Sequence, residues 1–110
     1  VLELWGKQVQ ASRAAGVNIA FGTDAGVIDH GRNAEELALL VEKGGMTPRA
    51  ALVSATIGAA ELLGLSSEIG TIAPGKAADI IAVNGDPLAD PRTLLKMRFV
   101  MAAGRTIPLD

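Results

Sequence analysis

Asp24 is the carboxylate best placed for chemistry in this chain. It follows Val17-Asn18-Ile19-Ala20-Phe21-Gly22-Thr23 and precedes Ala25-Gly26. A short apolar run rich in β-branched residues and closed by glycine reads as a buried strand that delivers Asp24 to its carboxyl end. In parallel α/β architectures that end is where ligands and catalytic groups gather. The glycines on either side let the backbone turn tightly and pass close to a ligand. An aspartate after a strand also serves as a turn former or as the cap of the next helix, so a structural role stands beside the chemical one.

The neighbouring pattern says what would position that carboxylate. Leu2, Trp5, Val9 and Ala14 recur at helical spacing, and Gly16 is a stop signal, so a helix leads into the strand. Helix, glycine and buried strand form part of a βα repeat and predict a parallel sheet. Positions 25–32 have no periodicity and read as a loop over the sheet's carboxyl end. Asn33 with Glu36 predicts a capping box opening a second helix, and Leu37, Leu40 and Val41 form its apolar stripe up to Lys43-Gly44-Gly45. Thr47-Pro48 caps the next helix, which runs on past a kink near Gly58 to Gly64. From Leu65 the pattern turns to strands and turns. Positions 69–72, 79–83, 98–102 and 105–107 read as strands, the last two as a hairpin about Ala103-Gly104, with one helical turn begun by Asp90-Pro91.

Composition narrows the function classes. A chain of 110 residues makes one modest core, and with no tyrosine and few aromatics that core is aliphatic. The formal charge of −2, without a basic cluster, argues against nucleic acid as a partner. No apolar run reaches the ~20 residues of a membrane span. The absence of cysteine removes thiolate metal sites and thiol nucleophiles and suits a reducing cytoplasm. The chain opens at Val1 directly into a helical pattern, which points to a processed or partial chain.

Six motifs, in order, carry a family resemblance. They are Phe21-Gly22-Thr23-Asp24-Ala25, His30-Gly31-Arg32-Asn33, Met46-Thr47-Pro48, Ala59-Ala60-Glu61-Leu62-Leu63-Gly64, Gly70-Thr71-Ile72-Ala73-Pro74-Gly75-Lys76-Ala77-Ala78-Asp79 and Gly85-Asp86-Pro87-Leu88. Together they resemble the carboxyl-terminal part of metal-dependent amidohydrolases, nearest to the imidazolonepropionase and Xaa-Pro dipeptidase relatives. The resemblance implies an α/β fold: the last βα portion of a TIM-like barrel over residues 1–64, then the carboxyl-terminal share of a small β-sandwich over residues 65–110. It implies one or two divalent metals, usually zinc, that activate a water to attack an amide, cyclic amide or dipeptide C–N bond. Asp24 matches the family's metal-binding aspartate, which also moves the proton. A carboxylate suits that work because it can take a proton from a metal-bound water, whose pKa the metal lowers to about 7, and return it to the leaving nitrogen.

The departures from the family pattern are as informative. Its His-x-His pair, its lysine or other bridging group and its two further histidines have no counterpart here. The only histidine is His30, and one His with one Asp falls short of the three protein ligands of a catalytic zinc. The resemblance therefore implies that the chain is inactive alone and that its partners are the missing amino-terminal part of the same enzyme and a small-molecule substrate. A homo-oligomer is also compatible. His30 matches a His-Gly segment of the dipeptidase-like relatives, which implies binding of a substrate carboxylate or a place near the metal; a turn-bonded or solvated histidine is the alternative. Arg32 can pair with a substrate carboxylate or lie solvated in the loop. For the whole chain, the alternative to an enzyme piece is a stand-alone, non-catalytic assembly or small-molecule-binding domain.

Overall fold

Helix α1, Leu2–Ala14, forms where the apolar positions recur. It ends as the pattern predicts: Gly16 stands at φ 80°, and the amides of Gly16 and Val17 return to the carbonyls of Arg13 and Ser12. These coordinates are a computed structural model that describes residues 1–27 and 29–110. One residue fixes how α1 meets the rest. Gly6 is buried, and a Cβ there would lie 2.5 Å from the carbonyl oxygen of Lys43, an approach that only glycine permits. Two α1 side chains then satisfy carbonyls left open beyond the second helix: Gln10 Nε2 donates to Lys43 at 2.8 Å and Arg13 donates to Gly45 at 2.8 Å.

Segment 17–21 corrects the buried-strand reading. It has no ladder partner among the described residues; its amide contact outside the α1 terminus is Phe21 N–H to Ser54 O at 2.9 Å, and Val17 is 54% exposed. A strand is completed by a neighbour, and β-branched residues alone do not supply one. The parallel sheet predicted from the βα pattern is likewise not formed among the described residues.

Three further helices pack in sequence: α2 Asn33–Glu42, α3 Pro48–Ala55 and α4 Ile57–Leu62. The start of α3 follows its residues, since Thr47 Oγ1 accepts from Ala50 N–H at 3.1 Å and Pro48 takes the first helical position. The break between α3 and α4 falls at Thr56 (φ −127°, ψ −90°) instead of Gly58, with the Thr56 hydroxyl donating to Leu52 O at 2.7 Å. Leu37, Leu40, Met46 and Ala51 bury between α1, α2 and α3, and Leu94 from the carboxyl-terminal half joins them. Burying a leucine of this kind contributes roughly 1.5–3 kcal/mol.

The single sheet among the described residues is antiparallel, ordered β1 (Ile80–Val83), β2 (Met97–Ala102) and β3 (Arg105–Ile107). Ile80 faces Met101 and Ala102 faces Arg105, with an irregularity between Ala82 and Val83. The predicted strand at 69–72 is instead a bend: Ile69 N–H turns back to Leu65 O, while Lys76 Nζ donates to Ser66 O at 2.6 Å. A 3-10 helix, Pro91–Leu95, is capped by Asp90, whose Oδ1 accepts from Arg92 N–H at 2.9 Å. Arg92 then reaches α2, forming two hydrogen bonds with Glu42 at 2.6 and 2.9 Å. No described helix is long and apolar enough to cross a membrane.

Candidate active site

The loop between segment 17–21 and α2 holds all three residues singled out in the sequence. It is made of two local turns. Val27 N–H donates to Asp24 O at 3.0 Å, and Arg32 N–H donates to Asp29 O at 3.3 Å. Between them Ile28 lies outside the described residues. Asp24 occupies the left-handed region at φ 49°, one of two non-glycine residues to do so among those described. Asp and Asn tolerate that region better than other L-residues, though at some cost. The Asp24 side chain is exposed, and among the described residues its carboxylate takes neither a hydrogen bond nor an ion pair. It therefore does not cap α2 with its side chain.

Nor does the predicted capping box form. Asn33 is the first residue of α2, not its cap, and Arg32 before it makes no side-chain cap bond. The Asn33 amide is used across the loop instead: Nδ2 donates to Thr23 Oγ1 at 2.7 Å, and Oδ1 accepts from Gly31 N–H at 3.3 Å. This pair was missed in the sequence, where Asn33 was read through the helix that follows it. Its signal was a hydroxyl residue directly before Asp24 and an amide residue directly after His30-Gly31-Arg32. A Cβ at Gly22 or Gly26 meets no described protein atom within 4 Å, so neither glycine is required by packing within this chain.

His30 is exposed in the second turn, and no described side chain bonds to it. Arg32 has partners. Its Nε and NH2 donate to the two carboxylate oxygens of Glu35 at 3.0 and 2.7 Å, and Asp29 stands 3.8 Å away. The bidentate hydrogen bonds raise the Arg32 pKa and hold the Glu35 carboxyl below its ordinary value. Arg32 and Glu35 line an open cleft of about 520 Å³ with Leu2, Trp5, Val27 and Leu39; Asp24 and His30 are outside it. The loop thus presents two chemistries: a carboxylate with no partner among the described residues, and a paired guanidinium at the edge of a cleft.

Among the described residues no three of His, Cys, Asp and Glu come together in a way that holds a metal ion. These side chains alone do not make a catalytic metal centre, which needs about three protein ligands.

The amidohydrolase family profile matches residues 6–107. A solved Xaa-Pro dipeptidase with methionine bound in its active site is 40% identical and superposes with a TM-score of 0.86, covering 93% of this chain and 25% of the dipeptidase. Ochratoxinase from Aspergillus niger is 41% identical over 95 residues, covering 86% of this chain and 19% of that enzyme, and its crystal structure superposes with a TM-score of 0.77. A 5-methylthioadenosine/S-adenosylhomocysteine deaminase from Moorella thermoacetica is 41% identical, covering 69% of this chain and 20% of its own length. The chain spans about a fifth to a quarter of the length of these relatives. With the profile running over nearly all of its residues, this chain belongs to the amidohydrolase family.

Proposed function

We propose that this chain supplies the Asp24 loop to a longer, metal-dependent hydrolase that cleaves carbon–nitrogen bonds of amides, cyclic amides or dipeptides. The observation that carries this reading is the state of Asp24. It stands in a strained backbone conformation at the end of segment 17–21, with an exposed carboxylate that makes no structural bond among the described residues. Strain and solvation without a structural return are common at functional sites. Asp24 is assigned two tasks: to contribute one ligand to a divalent metal, zinc by the chemistry of the family, and to carry the proton from the attacking water to the leaving nitrogen. The other ligands belong to residues outside this chain.

The two halves take different parts. Residues 1–64 are the carboxyl-terminal piece of the barrel and carry the site, and residues 65–110 are the carboxyl-terminal share of a small sandwich. His30 and Arg32 face the substrate. A substrate carboxylate at Arg32 would exchange with Glu35, which already occupies the same bidentate donors. The exposed apolar residues Leu4, Val17, Val27 and Leu63 are surface that the rest of the enzyme covers, and the chain alone self-associates through them. The test is direct. The purified 110-residue chain, assayed with zinc against dipeptides and acyl amides, shows no turnover, whereas the longer enzyme does; zinc-dependent hydrolysis by the short chain would overturn the division of the site.

A further inference from the structure

The loop that carries Asp24 and His30 is closed by one side chain. Asn33 stands at the first position of α2 and bonds to both ends of the loop, reaching Thr23, the residue before Asp24, and Gly31, the residue after His30. The orientation of its amide follows from its neighbours. Gly31 N–H can only donate, so the carbonyl oxygen of Asn33 faces it, and the amide nitrogen must then face Thr23 Oγ1 as donor to a hydroxyl that accepts. At 2.7 Å and partly buried, the bond to Thr23 is the stronger of the two. Among the described residues the loop's other backbone hydrogen bonds are local, within the turns Asp24–Val27 and Asp29–Arg32. Gln10 and Arg13 brace the far end of α2, not this one.

Resting on the reading of Asp24 given above, we infer that Asn33 is a positioning residue: its amide ties the backbone on both sides of the loop and so fixes where the Asp24 carboxylate points. Asp24 has no side-chain partner of its own among the described residues, so its direction is set by its backbone, and its backbone is anchored through the Thr23–Asn33 bond. Catalytic groups tolerate little displacement, and a shift near 1 Å can cost about 10²-fold in rate. Partners that orient functional side chains typically change activity about 10- to 100-fold when removed.

The test uses the full-length enzyme that carries this chain, with two readouts. The first is kcat and KM for Asn33→Ala, Thr23→Val, Thr23→Ser, Asp24→Asn and the double variant Asn33→Ala/Asp24→Asn. Asn33→Ala and Thr23→Val are expected to lower kcat about 10- to 100-fold with KM little changed, Thr23→Ser to restore it by returning the hydroxyl, and Asn33→Ala to add almost nothing once Asp24 is Asn. The second is amide hydrogen exchange across 22–33, which Asn33→Ala and Thr23→Val speed up and Thr23→Ser does not. An impaired Asp24→Asn beside an Asn33→Ala at full kcat overturns this inference and leaves the reading of Asp24 intact. A full further loss from Asn33→Ala in the Asp24→Asn background also overturns it, since Asn33 would then act by another route. An Asp24→Asn enzyme at full kcat instead defeats the reading of Asp24, and with it the claim that Asn33 serves that carboxylate. Unchanged exchange in Asn33→Ala removes the clamp whatever the kinetics.

Discussion

Asp24 and Ala103 share a positive φ of 49°, and the described residues contain no other non-glycine at positive φ. At Ala103 the fold itself demands it. The pairing of Ala102 with Arg105 leaves a two-residue connection, Ala103-Gly104, and both residues at positive φ give the twist that matches the flanking strands. The turn is held from outside as well: Asp79 Oδ1 accepts from Ala103 N–H at 2.8 Å, and Gly104 N–H donates to Ala78 O at 3.0 Å. At Asp24 no strand ladder among the described residues imposes the conformation. A single turn bond from Val27 closes behind it, and its carboxylate is left to solvent. The same positive φ therefore has a structural cause in one place and none among the described residues in the other, which is why Asp24 is the better candidate for function.

Glycine at each position should separate the two. Asp24→Gly keeps the backbone comfortable and deletes the carboxylate, so turnover of the full-length enzyme should fall by more than about 10²-fold while its folding stability stays within about 1 kcal/mol. The next effect is structural and lies at the hairpin. Asp79→Ala removes the acceptor of the Ala103 amide and should cost about 1 kcal/mol in a urea titration, with kcat unchanged. Ala103→Gly should be smaller still, a change of under about 1 kcal/mol, because relief of strain and the added freedom of the unfolded chain oppose each other. A loss of kcat in either hairpin variant would break the contrast.

The smallest effect concerns pH and the contact between the halves. Hydrogen bonds from Arg92 hold the Glu42 carboxyl below its ordinary value and raise that of Arg92. The folded state therefore binds fewer protons at Glu42 than the unfolded state does. The stabilisation is complete above the ordinary carboxylate range and is lost as pH falls through the depressed folded value. The urea midpoints of the parent and of Glu42→Gln should differ slightly at pH 7 and converge on acidification. Divergence at low pH would contradict this assignment.

Local signals were legible where a residue acts on its own neighbours. Thr47-Pro48, Asp90-Pro91, Gly16 and the Ala103-Gly104 turn each do what their chemistry suggests. Signals that need a distant partner were not. Residues 17–21 have strand composition but no strand beside them among those described, and 69–72 bend where Lys76 draws in the Ser66 carbonyl. Asn33 was misassigned because a cap and a cross-loop clamp call for the same amide, and only the position of Thr23 distinguishes them. Arg32 was read as a partner for a substrate carboxylate or as a solvated loop arginine; within this chain its guanidinium pairs with Glu35. Asp24 was read as the end of a strand; its left-handed backbone could not be read from residue type.

The central claim is that Asp24 is placed for its charge and not for its turn. Asn adopts the left-handed region as readily as Asp and fills the same volume, so Asp24→Asn in the full-length enzyme removes the proton acceptor and leaves the loop intact. If the carboxylate carries the proton, kcat falls by about 10²- to 10⁴-fold with folding preserved and metal content reduced rather than abolished. A kcat equal to that of the parent enzyme would contradict the claim and return Asp24 to the role of a turn residue.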